Sequence, residues 1–123
     1  MKITPTYIDK RAATVDLAYP EARPAHLQLD IPFGQIALDP GAGESIISGK
    51  VTYNVEELRP TYSLQGRTVR VRQALRVFIP TAEITNRWDF LLGTAQPYSL
   101  EISTGAAESD LTLGGVPLTG LKI

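Results

Sequence analysis

The sequence contains no cysteine, which removes disulfides, thiolate metal ligands, thiol redox chemistry and cysteine nucleophiles together. It has one histidine, His26. A zinc site would have to combine that imidazole with carboxylates alone, a poor ligand set. A serine triad would need His26 near a G-x-S-x-G nucleophile elbow, and the sequence has none. An excess of charge of one sign is also missing: 12 Lys and Arg stand against 13 Asp and Glu, a net charge of -1. Nothing in that balance draws the whole molecule to nucleic acid or to an anionic membrane. No run of apolar residues is long enough for a transmembrane helix, and the start, Met1-Lys2-Ile3-Thr4-Pro5-Thr6, lacks the apolar core of a secretory signal. The chain reads as soluble.

What is present is a globular composition, 43% hydrophobic and 20% charged, in 123 residues. That length fits one domain with a core that needs no covalent staple. Nine prolines and ten glycines break the chain at the spacing of short strands and turns. Between them the apolar residues alternate with polar ones. Leu27, Leu29 and Ile31 do so, then Val51, Tyr53 and Val55, then Val69 and Val71 against Arg70 and Arg72. Leu75-Arg76-Val77-Phe78-Ile79, Trp88-Asp89-Phe90, Leu100-Glu101-Ile102 and Leu111-Thr112-Leu113 continue the pattern. Period-2 alternation predicts half-buried strands, about eight to ten of them. Helix is confined to a short turn near Val55–Leu58, ahead of Pro60. Residues 1–24, with an alanine pair and scattered charge, read as an N-terminal arm, a terminal strand or a linker. Residues 25–123 form the ordered domain.

One motif recurs. Leu38-Asp39-Pro40-Gly41-Ala42-Gly43-Glu44-Ser45 has a counterpart in Ile102-Ser103-Thr104-Gly105-Ala106-Ala107-Glu108-Ser109. Glycine supplies positive φ and small residues allow close stacking, so both copies are expected to be tight turns between strands. Stacked strand-turn-strand units build layered sheets or solenoids. The apolar series Leu111, Leu113, Val116, Leu118, Leu121, Ile123 resembles further rungs of such a stack. It ends without a polar cap, which suggests either a longer natural chain or an edge that pairs with a second copy. The expected fold class is therefore all-β, a stacked-strand, solenoid-like or layered-sandwich single domain.

These motifs carry a family likeness. From Leu27 the chain reads L-x-L-x-I, P-G-A-G-E, G-x-V-x-Y-N-V-x-E-L-x-P and G-x-x-V-x-V-x-Q; later it reads W-D-F-x-L, P-x-x-L-x-I and G-A-A-E-S-D-L-x-L-G-G. Together they resemble the toast-rack N-terminal domain of LiaF-like cell-wall-active antibiotic response proteins, and more loosely the adhesin-like β-solenoids. The resemblance implies an all-β domain of unknown function in a bacterial envelope protein, held at the membrane by segments outside this domain. It implies a role in interaction or sensing, with no enzymatic activity and no cofactor. A structural or adhesin-like stacking module is the alternative, and a carbohydrate-active enzyme a distant one.

Several residues could carry chemistry. Gly41–Ser45 lacks the phosphate-binding pattern G-x-x-x-x-G-K-[ST] and precedes a strand instead of a helix. Glu44 and Glu108, equivalent in the repeat, could form a carboxylate pair, but no sugar-binding cleft accompanies them. The basic residues Arg67, Arg70, Arg72 and Arg76 are the better candidates. Arg70 and Arg72 share one face of a strand, and Arg70, Arg72 and Arg76 form the expected binding set for an acidic protein partner, an anionic envelope polymer or anionic lipid head groups, the alternative being a solvated strand face that keeps the sheet soluble. Aromatics are not interleaved with them as nucleic acid would require. Trp88 and Phe90 are expected in the core.

Overall fold

The alternation read at Val69–Arg72 is that of a real strand. Val69 and Val71 are buried, Arg70 is half-buried and Arg72 is exposed, so one side of the strand enters the core and the other faces solvent. The same logic builds the molecule. A computed structural model describes residues 2–3, 5–73, 77–78 and 83–123. Within them lie strands β1 (Lys2–Ile3), β2 (Tyr7–Ala18), β3 (Ala25–Pro40), β4 (Ser45–Val55), β5 (Thr61–Gln65), β6 (Thr68–Arg72), β7 (Val77–Phe78), β8 (Asn86–Leu92), β9 (Tyr98–Leu111) and β10 (Leu118–Lys122). The one helical element among the described residues is a 3-10 turn, Glu56–Leu58, where a short turn ahead of Pro60 was expected. Leu75, Arg76 and Ile79 lie outside the described residues.

The strands form a curled mixed sheet, a half-barrel. Its spine is the long parallel pair β3 and β9, in register from Ala25↔Tyr98 to Leu38↔Leu111. On its other edge β3 changes partner midway. Its first part pairs in parallel with β6, from His26↔Thr68 to Asp30↔Arg72. Its last part pairs in parallel with β8, from Gln35↔Arg87 to Pro40↔Leu92. The molecule thus has two half-sheets that share β3 and β9. One runs β5-β6-β3-β9-β10 and the other β2-β4-β8-β3-β9. The first two dozen residues include β2, which pairs antiparallel with β4 from Tyr7↔Val55 to Ala18↔Ser45. The short β1 and β7 form a separate parallel pair.

The switch of partner falls at Pro32–Gly34, and Gly34 is why the chain can make it. Its φ is +120°, and a Cβ there would lie 2.2 Å from the Asn86 carbonyl oxygen. Only glycine combines that conformation with so close a backbone approach. The curl closes over a core formed by Leu27, Leu29, Ile31, Ile36 and Leu38 of β3, Ile46, Ile47, Val51 and Tyr53 of β4, Trp88, Phe90 and Leu92 of β8, and Leu100 and Ile102 of β9, all buried. Each such side chain contributes about 1.5–3 kcal/mol relative to exposure.

The recurring Gly-Ala motif has two different fates. Gly41–Glu44 is a turn between β3 and β4, with positive φ at Gly41 and Gly43. Its amides at Gly41 and Ala42 both donate to the Leu92 carbonyl, at 3.1 Å each. The expected second turn at Gly105–Ser109 is instead the middle of β9. There Phe33 opposes Ala106 and Gln35 opposes Glu108. A Cβ at Gly105 would meet the Pro32 carbonyl oxygen at 2.4 Å, so the glycine admits the bent β3 backbone and does not reverse the chain. The likeness between the copies is one of composition, because long parallel pairing outweighs the local turn preference of small residues.

Candidate functional site

Strand parity and register decide which polar side chains share the outer face of the β5-β6-β3-β9-β10 half-sheet. One row across the strands is Ser63, Arg70, Gln28, Glu101 and Lys122; the next is Thr61, Arg72, Asp30 and Ser103. The two arginines expected to share a face do share it, and they differ in state. Arg70 places Nε at 2.8 Å and a terminal nitrogen at 2.5 Å from Oδ2 of Asp30. Asp30 lies directly opposite Arg72 in the register, yet it is the diagonal neighbour Arg70 that holds it. The pair is partly withdrawn from water, with Arg70 40% and Asp30 22% exposed, so Arg70 is held in place and its charge is partly offset.

Arg72 is left exposed, and among the described residues its guanidinium has no hydrogen bond or ion pair. Thr61 Oγ1 donates to its backbone carbonyl at 3.4 Å, tying β5 to β6 beneath it. Two shallow clefts flank this side chain. Gln28, Thr61, Ser63, Gln65 and Thr68 line one; Gln73, Glu101, Ser103 and Thr104 line the other, and Arg70 and Arg72 border both. The face thus offers an exposed planar cation beside amide and hydroxyl groups on one flank and the carboxylates of Asp30 and Glu101 on the other, so a phosphate or carboxylate would be gripped from the Gln28, Thr61 and Ser63 side. Arg76, the third residue of the expected set, lies outside the described residues. Arg67 turns elsewhere and donates to the Pro24 carbonyl at 3.0 Å.

The remaining candidates have structural occupations. His26 Nδ1 is 2.6 Å from Ser99 Oγ across the β3–β9 pair. Trp88 is fully buried with its ring centroid 5.2 Å from that of Phe90. Glu44 sits in the β3–β4 turn while Glu108 stands within β9 opposite Gln35, so the equivalence on which a carboxylate pair was considered does not exist. Among the described residues no group of three His, Asp or Glu is placed to hold a metal. Burial, with Tyr19 alongside, pushes the Tyr98 phenol above its usual range, while its hydroxyl donates to the Gly93 carbonyl at 2.9 Å.

Two features escaped sequence reasoning. Asp30 determines which arginine is free, and nothing local announces it, because the partners are 40 residues apart. Thr61–Gln65 is a strand, though no alternation of buried residues marks it, since all five are exposed.

Among the described residues no helix is long and apolar enough to cross a membrane. The family model described as the N-terminal domain of toast_rack, DUF2154, matches residues 5–123. Comparison with curated proteins yields no match. Among solved structures, a Clostridium sporogenes protein described as a proposed cell adhesion protein superimposes with a TM-score of 0.80 at 19% identity. The match covers 93% of this chain and 56% of that one, so the chain spans little more than half of that neighbour. At that identity the likeness is one of fold.

Proposed function

Given that the chain belongs to the toast-rack N-terminal domain family, we propose that it is a non-catalytic interaction domain of a bacterial cell-envelope protein, binding an anionic envelope polymer or an acidic protein partner through its Arg72 face. The observation that carries this reading is the division of labour between the arginines: Asp30 holds Arg70 and leaves Arg72 exposed on the polar outer face of the half-sheet. A role in envelope sensing, of the kind implied by the likeness to LiaF-like proteins, would follow if that ligand reports the state of the wall.

The test is titration of the domain with purified teichoic acid at two ionic strengths. Arg72→Ala should weaken binding by about 10- to 100-fold, the worth of one charge-assisted contact at about 1.5–3 kcal/mol. Added salt should weaken the wild type more than the variant. Unchanged affinity in Arg72→Ala would overturn the reading.

A second reading, an adhesin-like stacking module, draws on a separate observation. Tyr62, Leu64, Leu121 and Ile123 are exposed at 61%, 60%, 49% and 72%, all at the margins of the same half-sheet. The solved neighbour of related fold is described as a proposed cell adhesion protein. Glycan cleavage that disappears in Glu44→Gln or Glu108→Gln would overturn both readings in favour of an enzyme.

A further inference from the structure

The half-sheet has apolar rows on its inner face as regular as the polar rows outside. One row is Leu64, Val69, Leu27, Leu100 and Leu121; its neighbour contains Tyr62, Val71, Leu29 and Ile102. The middle members are buried, but Tyr62 and Leu64 at the β5 end are about three-fifths exposed. Among the described residues β5 pairs only with β6, and none of them pairs with the backbone along its other edge.

The sheet margins differ in how they discourage further pairing. Natural edge strands are blunted by charge, proline or bulges. β2 carries Asp9, Lys10, Arg11 and Asp16 and a register shift between Tyr7 and Arg11. β10 carries Lys122 and a shift between Leu118 and Gly120. β5, Thr61-Tyr62-Ser63-Leu64-Gln65, has no charge, no proline and an unbroken register. Its pattern is also symmetric about Ser63: polar, apolar, polar, apolar, polar.

We infer that β5 pairs antiparallel with β5 of a second copy of this chain, about a two-fold axis at Ser63. Such an isologous contact is the commonest symmetry of homodimers. It sets Tyr62 opposite Leu64 of the partner copy and joins the exposed apolar side chains on the inner face, while Thr61, Ser63 and Gln65 remain outside. No charge opposes its like. Strand spacing and rise place the two Arg72 side chains about 20 Å apart, more than twice the Debye length of about 8 Å at physiological salt. The two Arg70 residues, closer together, are each paired with Asp30. A contact of five residues a side is small beside the roughly 800 Å² per partner of a standard interface, so the dimer is weak. Both Arg72 faces then lie on the same side of one continuous sheet. The inference concerns assembly and stands apart from what Arg72 binds.

The absence of cysteine makes the test clean. Ser63→Cys places two thiols opposite each other at the axis, where facing Cβ atoms are about 5 Å apart, near disulfide range. Under mild oxidation at micromolar protein it should cross-link at least about tenfold faster than Ser103→Cys, an exposed control on the same outer face. Sedimentation velocity from 10 μM to 1 mM should show a monomer–dimer equilibrium in the wild type, shifted at least about tenfold toward monomer by Leu64→Lys. Equal cross-linking of the two cysteine variants would overturn the inference, as would a wild type that is monomeric throughout. So would faster cross-linking of Thr119→Cys in β10, which would move the contact to the C-terminal edge.

Discussion

Gln73 and Asn86 face each other inside the protein, 2% and 5% exposed. The amide nitrogen of Gln73 donates to Asn86 Oδ1 and to the Leu58 carbonyl, both at 2.7 Å. That of Asn86 donates to Gln73 Oε1 at 2.8 Å and to the Phe33 carbonyl at 2.6 Å. Four polar groups are thereby satisfied where both side chains are nearly fully buried, and losing one partner strands the others. Gln73→Ala and Asn86→Ala should each lower stability by about 1–3 kcal/mol. In urea unfolding the double variant should cost less than the sum, since the first truncation already breaks the reciprocal pair. Tyr98 supplies a pH signature. Its phenol is held neutral by burial first and by Tyr19 second, which raises its pKa in the fold. A raised pKa means stability that is whole below the unfolded value of about 10 and lost as pH climbs past it. The wild type should therefore lose stability above that pH in alkaline melts. Tyr98→Phe should be less stable at pH 7, for want of the bond to Gly93, and should show a shallower alkaline decline.

At the scale of the element, β3 is the decisive strand, because it pairs with β9 along one edge and with β6 and then β8 along the other. Gly34 sits where it changes partner. Gly34→Ala should cost at least about 1–3 kcal/mol, read as a fall in melting temperature, because the added carbon meets the Asn86 carbonyl. The alternation of Leu27, Leu29 and Ile31 made the start of β3 legible in the sequence, as Val69 and Val71 did for β6 and Val51, Tyr53 and Val55 for β4. Each strand's inward residues could be named because burial on one face leaves a period of two. Pairing could not be named. Nothing near Gly105 says that its backbone will lie along Pro32, so small residues read as a turn, and the exposed Thr61–Gln65 had no buried face to betray it. The candidate site divided the same way: the shared face of Arg70 and Arg72 followed from parity, whereas the capture of Arg70 by Asp30 required knowing that β6 and β3 are neighbours. The Y-N-V motif gained a reason too. Asn54 takes the place of a backbone partner, donating to the Glu83 carbonyl at 2.9 Å and accepting from the Thr85 amide at 2.7 Å.

For the whole molecule, the long reach of the contacts governs how it assembles. His26 and Ser99, 73 residues apart, are hydrogen-bonded neighbours on the spine, and the parallel pairs of β3 with β6 and β8 also join residues far apart in sequence, as in His26↔Thr68 and Gln35↔Arg87. Closing such loops precedes the reward of pairing. Refolding by stopped-flow fluorescence of Trp88 should therefore fall in the millisecond-to-second range expected of non-local β topologies. Leu100→Ala, on the spine, should slow it if β3 and β9 pair in the transition state, and otherwise should chiefly hasten unfolding.

The partner switch of β3 also has a mechanical meaning. β2 and β10 occupy opposite margins of the sheet, with β4, β8, β3 and β9 between them. Tension applied through Tyr7 and Lys122 acts across the ladder, so the hydrogen bonds of the outer strands open one after another instead of sharing the load. β3 and β9, joined along their whole shared length, would be the last to part, and optical-tweezer traces should show the margins peeling at low force before the spine gives way.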